Sequence, residues 1–333
     1  MTAPPIDRQR ILELMSGFRP ACVIGAAAEL DLWSQLSEMD LTADEMALRL
    51  GGDLRAVTML LDAVAAIGLL NKHNQRYGVP KDLRPLLFED SPESLLPMLR
   101  HGMSILRGWS NLAWTALAGI PAPKVSSIRG PAADRAAFVA AMHVVSGPVA
   151  DELVQRLGPP KFKHLLDVGG ASGTWTLAFL AAVPNSRATI FDLPDAIGQA
   201  KERLARDEFA DRVTLAAGDF YVDPLPSGAD YAWVSAIAHQ HSRQHNRELF
   251  EKVFRALEPG GRIAIRDIVM EPSRTEPVDG ALFAINMLVN TATGGTFTFD
   301  EFAEDLKAAG FENPELKVKD PGMNAVIEAA KPE

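Results

Sequence analysis

A single cysteine, Cys22, stands in the 333 residues, so an internal disulfide and a multi-cysteine metal site are both excluded. Basic residues are in the minority, with 33 Lys and Arg against 43 Asp and Glu and a formal net charge of -10. General attraction to phosphate backbones or anionic lipid needs a basic footprint, so neither nucleic acid nor a membrane is expected as a partner. The opening MTAPPIDRQRILELM is charged and lacks the apolar stretch of a signal peptide. No run approaches the ~18 apolar residues of a membrane span. What is there is 47% hydrophobic and 23% charged, too apolar for a disordered chain. The reading is an acidic cytoplasmic protein, and at roughly 150 residues per domain its length suggests two domains.

Residues 8 to about 105 read as almost all helix. The apolar spacing of ILELMSGFRPACVIGAAAELDLWSQL is helical, with an interruption expected at Pro20. Thr42 can cap TADEMALRLGG and Glu45 can complete a capping box; Gly51 and Gly52 stop that helix, and Asp53 caps LRAVTMLLDAVAAIGLL. Short extended pieces follow around LLNKH and RYGVP. Helix, helix and small ribbon is the order of a winged-helix module. A DNA reader, however, needs basic and polar side chains on its recognition helix, and residues 54–68 offer only Arg55 on an otherwise apolar face. Residues 1–100 carry ten Lys and Arg against fourteen Asp and Glu. An apolar helix of this kind wants a protein surface, which favours dimerisation over DNA.

Beyond residue 131 a helix, RAAFVAAMHVVSGPVADELVQRL, ends at Gly158-Pro159-Pro160, and strand-like and helix-like pieces then alternate. This predicts an α/β domain with a mostly parallel sheet, whose ligand crevice lies at the carboxyl ends of its strands. In Asp167-Val168-Gly169-Gly170-Ala171-Ser172-Gly173 a strand runs into a glycine-rich turn and a helix. The spacing misses the Gly-x-Gly-x-x-Gly of nicotinamide cofactors, and Thr174-Trp175 follow Gly173 where a phosphate-binding P-loop has Lys-Ser/Thr. Asp192 closes the next strand and could accept both hydroxyls of a ribose, while Asp219 closes a third, with Phe220 beside it to stack on a base. Three strands ending in acids, without a following basic cluster, suit a nucleoside cofactor that carries a positive centre and no phosphate.

Those segments, with Phe191-Asp192-Leu193-Pro194, Gly218-Asp219-Phe220 and Pro259-Gly260-Gly261, resemble class I S-adenosylmethionine-dependent methyltransferases. More narrowly, they resemble the dimeric O-methyltransferases of phenols and small hydroxylated metabolites in their bacterial branch. The resemblance spans nearly the whole chain, and it departs at Ala171, where the family usually has glycine. It implies a Rossmann-like methyltransferase domain over residues 106–333, preceded by a mostly helical winged-helix dimerisation domain over residues 1–105. It implies S-adenosyl-L-methionine as cofactor, a small-molecule acceptor and a homodimer. Gly169, Gly173 and Asp167 would meet the methionine part, Asp192 the ribose, and Asp219 and Phe220 the adenine, with Ser146 and Ser235 completing the cofactor set. Phe138 and Met142, on the helix ahead of the glycine loop, fall at positions that close the acceptor pocket.

Methyl transfer from a sulfonium leaves the protein to position the acceptor and take its proton, a task that suits a histidine with an ordinary pKa near 6.5. His239 follows the strand YAWVSAI, at the place where the related enzymes have their general base. Gln240-His241 replace the usual Asp-Trp after it. Asp267, 28 residues on, ends the next strand at the position of the family's orienting carboxylate. A second carboxylate found in many relatives is missing from Gly294-Gly295-Thr296-Phe297-Thr298. His241 and His245 are four apart and could share a helix face, but they lack a third ligand; no metal is expected, and both read as solvated surface residues. The apolar helix over 281–291 carries Asn286 and Asn290 on one face and Met287, which could press on a flat ring. Beside an O-methyltransferase acting on a small aromatic hydroxyl, two readings stay open: a homologue that turns the cofactor to non-methylating chemistry, and a catalytically silent regulatory dimer.

Overall fold

The computed structural model describes residues 6–158, 160–170, 172–205 and 207–333, so the expectations for Pro159 and Ala171 lie outside the described residues. The chain forms two compact units, and a single cut near residue 105 does not separate them. Val125–Val144 folds with the segment ending at Arg107, and Gly108–Lys124 folds with Val145–Glu333.

In the N-terminal unit Thr42 and Glu45 close the expected capping box on the helix Ala43–Leu50, and Asp53 accepts from the Ala56 amide to start Leu54–Ala66. Asn71–His73 and Arg76–Gly78 pair antiparallel, and Leu41–Thr42 adds a third strand to the ribbon. Trp33, Leu41, Met46, Leu61, Val64 and Tyr77 fill the core beneath. The expected interruption at Pro20 is displaced: Arg8–Ser16 gives way to Phe18–Glu29 at Gly17, and Pro20 sits in the first turn of the second helix. A first-turn residue has no intrahelical acceptor for its amide, so proline is tolerated there. Beside the expectation of no unbroken apolar run, two stretches, Arg8–Glu29 and Pro131–Leu157, pass a test for a membrane span by length and composition only, a test that core helices also pass. Alanines account for the difference, because they raise the mean hydropathy of a helix without forming an unbroken run of large apolar side chains.

The C-terminal unit is built on a seven-stranded sheet of β1 (His164–Val168), β2 (Arg187–Asp192), β3 (Val213–Ala217), β4 (Ala229–Ser235), β5 (Leu257–Asp267), β6 (Glu312–Val318) and β7 (Ala325–Ala330), in the order β6-β7-β5-β4-β1-β2-β3. The first five strands are parallel to one another, and β7 runs antiparallel to both β5 and β6. This is the Rossmann-like α/β layering the alternation predicts. Successive residues of each strand feed opposite cores: Leu166, Val168, Val234 and Ile265 pack on one face, Leu165, Trp233 and Ala264 on the other. The strand order reverses between β1 and β4, and at such a switch point sheets of this kind bind ligands beyond the carboxyl ends of their strands. Register brings those ends level, with Val168 beside both Phe191 and Val234, and Ser235 beside Arg266.

Candidate active site

β4 ends at Ser235, and the chain turns sharply at Ala236, whose φ is 57°. A short 3-10 turn, Ala238–Gln240, then sets His239 over the end of β5. Gln240, in place of the family's aspartate, donates from its side-chain amide to Ala236 O at 3.0 Å and braces that turn. His239 is 6% exposed and Asp267 2%. The His239 Nδ1 lies 2.9 Å from Asp267 Oδ1 and 3.1 Å from Oδ2, and the His239 and Ile268 amides donate to the same carboxylate at 3.1 and 2.8 Å. A carboxylate that accepts at Nδ1 keeps the proton there and leaves the Nε2 lone pair free, the tautomer a base needs.

In the stretch Gly294-Gly295-Thr296-Phe297-Thr298, Phe297 stands where the relatives' Gly-Gly-x-Glu pattern has its acid, and the stretch meets His239 through backbone: the Gly295 amide donates to His239 O at 2.9 Å. The ring of Phe283, from the helix Val278–Asn290, stands edge-on to the His239 ring with centroids 4.8 Å apart. Phe283 was missed in the sequence, although its spacing of three from Asn286 and four from Met287 puts it on their face. Asn286 Oδ1 accepts from Asn290 Nδ2 and from the indole of Trp109, each at 2.9 Å. Met287 is buried in the same helix. Trp109, a second missed residue, lies 177 positions from its partner, beyond any local pattern. Phe138 and Met142 fold with the N-terminal unit, where Phe138 meets the His101 ring edge-on at 5.1 Å.

Asp167 lies inside β1 rather than at its end and is 1% exposed. Its Oδ2 accepts from Thr176 Oγ1 at 2.6 Å, while its Oδ1, equally buried, has no hydrogen-bond partner among the described residues. Burial pushes this carboxyl up to about 7, helped by the charge of Asp192 and opposed by the Thr176 hydroxyl. The glycine turn closes over it so tightly that a Cβ on Gly170 would come within 2.6 Å of Asp167 Cγ. Gly169 begins that turn and Gly173 leads into the helix Thr174–Ala182. A buried oxygen lacking a donor under a glycine cradle fits a ligand that brings a cationic N–H group, and so fits the amino end of S-adenosylmethionine.

Asp192 ends β2 as expected, and its carboxylate accepts from the Leu193 amide at 2.7 Å. Asp219 lies two residues past β3 and accepts from the Tyr221 amide at 2.9 Å, so it caps a turn instead of closing a strand. The Phe220 carbonyl is pinned by Lys252 Nζ at 2.5 Å. Ser235 Oγ accepts from the buried Arg266 guanidinium at 3.1 Å, and Ser146 is buried on the helix Pro131–Leu157.

The surface assignment of His241 is overturned. It is 4% exposed, and its Nδ1 lies 2.6 Å from the Tyr221 hydroxyl. It precedes Ser242, the N-cap of Arg243–Ala256, whereas His245 lies inside that helix, so the two histidines share no helical face. Among the described residues no group of three His, Cys, Asp or Glu could hold a metal.

Known proteins resemble the chain over nearly all its length. The model of the O-methyltransferase domain matches residues 102–312, and that of the O-methyltransferase dimerisation domain matches residues 12–81. The tetracenomycin polyketide synthesis 8-O-methyl transferase TcmO of Streptomyces glaucescens is 30% identical over 90% of each chain. The 3-hydroxy-5-methyl-1-naphthoate 3-O-methyltransferase of Streptomyces sahachiroi is 29% identical over 96% of this chain and 94% of that one. The structure of PigF with SAH, a Serratia protein, superposes with a TM-score of 0.86 at 24% identity, covering 98% of this chain and 100% of the other.

Proposed function

Starting from a chain that belongs to the O-methyltransferase family, we propose that His239 is the general base and Asp267 the carboxylate that orients it. The enzyme is S-adenosyl-L-methionine-dependent and methylates a hydroxyl of a small molecule. When bound, that cofactor supplies an electrophilic methyl on a sulfonium, with a neutral thioether as leaving group. The protein's share is to align the acceptor oxygen and relieve it of its proton. His239 Nε2 takes that proton as the oxygen attacks, and Asp267 stabilises the resulting imidazolium. The single observation that carries this reading is the buried His239–Asp267 pair beside Phe283, a ring on the helix expected to meet the acceptor.

Asp167 Oδ1 would accept from the cofactor's amino group, with Gly169, Gly173, Ser146 and Ser235 around the methionine end. Asp192 would hold the ribose, and Asp219 and Phe220 would flank the adenine. Phe283, Asn286, Met287 and Asn290 offer an apolar wall with amides, which supports a flat, weakly polar acceptor of the aromatic kind named in the relatives. The test is release of S-adenosylhomocysteine across a panel of phenols and naphthols, with product analysis by mass spectrometry and NMR. An O-methyl ether on at least one hydroxyl is expected; tight cofactor binding with no turnover, or methylation only at nitrogen or carbon, overturns the acceptor reading.

The second copy of the chain is the expected partner. Ile11, Leu12, Leu14 and Met15 are each more than half exposed within the segment that begins the dimerisation domain, an apolar surface suited to a subunit contact. Light scattering should give twice the 36.0 kDa chain mass, and paired substitutions Leu12→Asp and Met15→Asp should shift it toward the single chain. A parent protein of single-chain mass at micromolar concentration defeats the assignment.

A further inference from the structure

His241 stands where the related enzymes carry a tryptophan, and its surroundings give it a definite job. One nitrogen, Nδ1, is taken by the Tyr221 hydroxyl at 2.6 Å. The other, Nε2, is buried and has no hydrogen-bond partner among the described residues. The Phe220 ring meets the imidazole edge-on at 5.6 Å, and the Tyr221 ring does so at 5.2 Å. This cluster grows out of the loop after β3, and that loop is tied to the proposed ribose site, since the Gly218 amide donates to Asp192 O at 2.9 Å. Tyr221 itself is 55% exposed, so it forms the outer wall of the cluster and His241 the inner one.

Both partners of the Tyr221–His241 bond are neutral. Burial, with the neighbouring His245 and His239, pulls His241 down to about 4, and burial with Asp219 raises the Tyr221 phenol. Between a neutral phenol and a neutral imidazole the phenol is the stronger donor. Tyr221 therefore donates to Nδ1, and Nε2 carries the imidazole proton. A buried N–H without an acceptor costs free energy that a bound ligand recovers by supplying one.

We propose that His241, fixed in one tautomer by Tyr221, reads the purine ring of the cofactor by donating from Nε2 to one of its ring nitrogens. This rests on the S-adenosylmethionine reading above and adds to it a base-specificity contact particular to this chain. Adenine suits the position because each of its ring nitrogens N1, N3 and N7 is an acceptor in the ring plane.

The experiment is calorimetric binding of S-adenosylhomocysteine and its 1-deaza, 3-deaza and 7-deaza analogues, each lacking one ring nitrogen, to the parent, His241→Phe and Tyr221→Phe. The parent should lose about tenfold in affinity for one analogue. His241→Phe should bind S-adenosylhomocysteine about tenfold more weakly and treat that analogue as its equal. Circular dichroism checks the fold of His241→Phe, and Tyr221→Phe, which frees the tautomer without touching the core, should keep less than half of the parent's discrimination. Equal tolerance of all three analogues by the parent overturns the proposal, as does full discrimination in both variants. Failure of the parent to bind S-adenosylhomocysteine at all overturns the cofactor reading instead, and this contact with it.

Discussion

Asp167 and Asp267 are both almost fully buried near the carboxyl ends of strands in one mostly parallel sheet, and they differ in what remains to be satisfied. Asp267 accepts from two backbone amides and from His239, so both of its oxygens are committed within the protein. Asp167 has the Thr176 hydroxyl on one oxygen and nothing among the described residues on the other. A completed hydrogen-bond set fixes geometry, whereas an incomplete one in the same low-dielectric setting stores an unmet demand. The first arrangement suits a carboxylate that must hold a histidine through every turnover. The second suits one whose partner arrives and leaves with each cofactor molecule.

The sharpest way to break this contrast is to remove what Asp267 holds. With a neutral phenolic acceptor, His239→Ala should lower kcat by roughly 10²–10⁴ and leave the S-adenosylhomocysteine dissociation constant nearly unchanged. An acidic phenol that is already ionised should lose most of this dependence. Asp267→Asn should cost less, about 10- to 100-fold, because the amide still fills the site but can no longer stabilise the imidazolium. The double variant should fall short of the summed losses, since the two residues act as a unit. Full activity of His239→Ala with a neutral acceptor means that alignment alone carries the reaction.

Much of this was legible in the sequence because it is local. Capping by Thr42 and Asp53, the strand–turn–helix at Gly169–Gly173, and the placement of Asp192 at the end of a strand and of His239 just past one all depend on residues a few positions apart. The rest depends on distant chain. His241 looks like a solvated loop residue until Tyr221, twenty positions upstream, covers it, and Phe283 becomes a neighbour of His239 only when the sheet brings their elements together. The sequence singles out Asp167 as a candidate for the cofactor but not its unmet oxygen, since whether a buried acid finds one donor or three is decided by the turn folded over it. Pro20 shows the opposite error: a strong local rule placed a break there, and a first-turn position made the rule inoperative.

The smallest expected effect concerns that unmet oxygen, and it is a matter of protons. In the free chain an aspartate ionises near 3.8, whereas burial holds Asp167 up to about 7 in the folded protein. Between those values the folded state keeps a proton the unfolded chain has lost, so this group makes the fold progressively less stable as pH rises from about 4 to about 7, and the cost is complete above that. Asp167→Asn keeps the shape and removes the charge, so the ligand-free variant should melt at a more constant temperature across this window and above the parent at pH 8. A cationic amino group on Oδ1 reverses the preference, because it favours the ionised carboxylate. S-adenosylhomocysteine should therefore bind the parent more tightly as pH rises from 6 to 8, releasing a fraction of a proton that calorimetry in two buffers of different ionisation heat can count. In the variant that slope should flatten and affinity at pH 8 should fall about tenfold. Identical slopes in parent and variant would assign the buried oxygen to the protein's own architecture and remove it from the cofactor site.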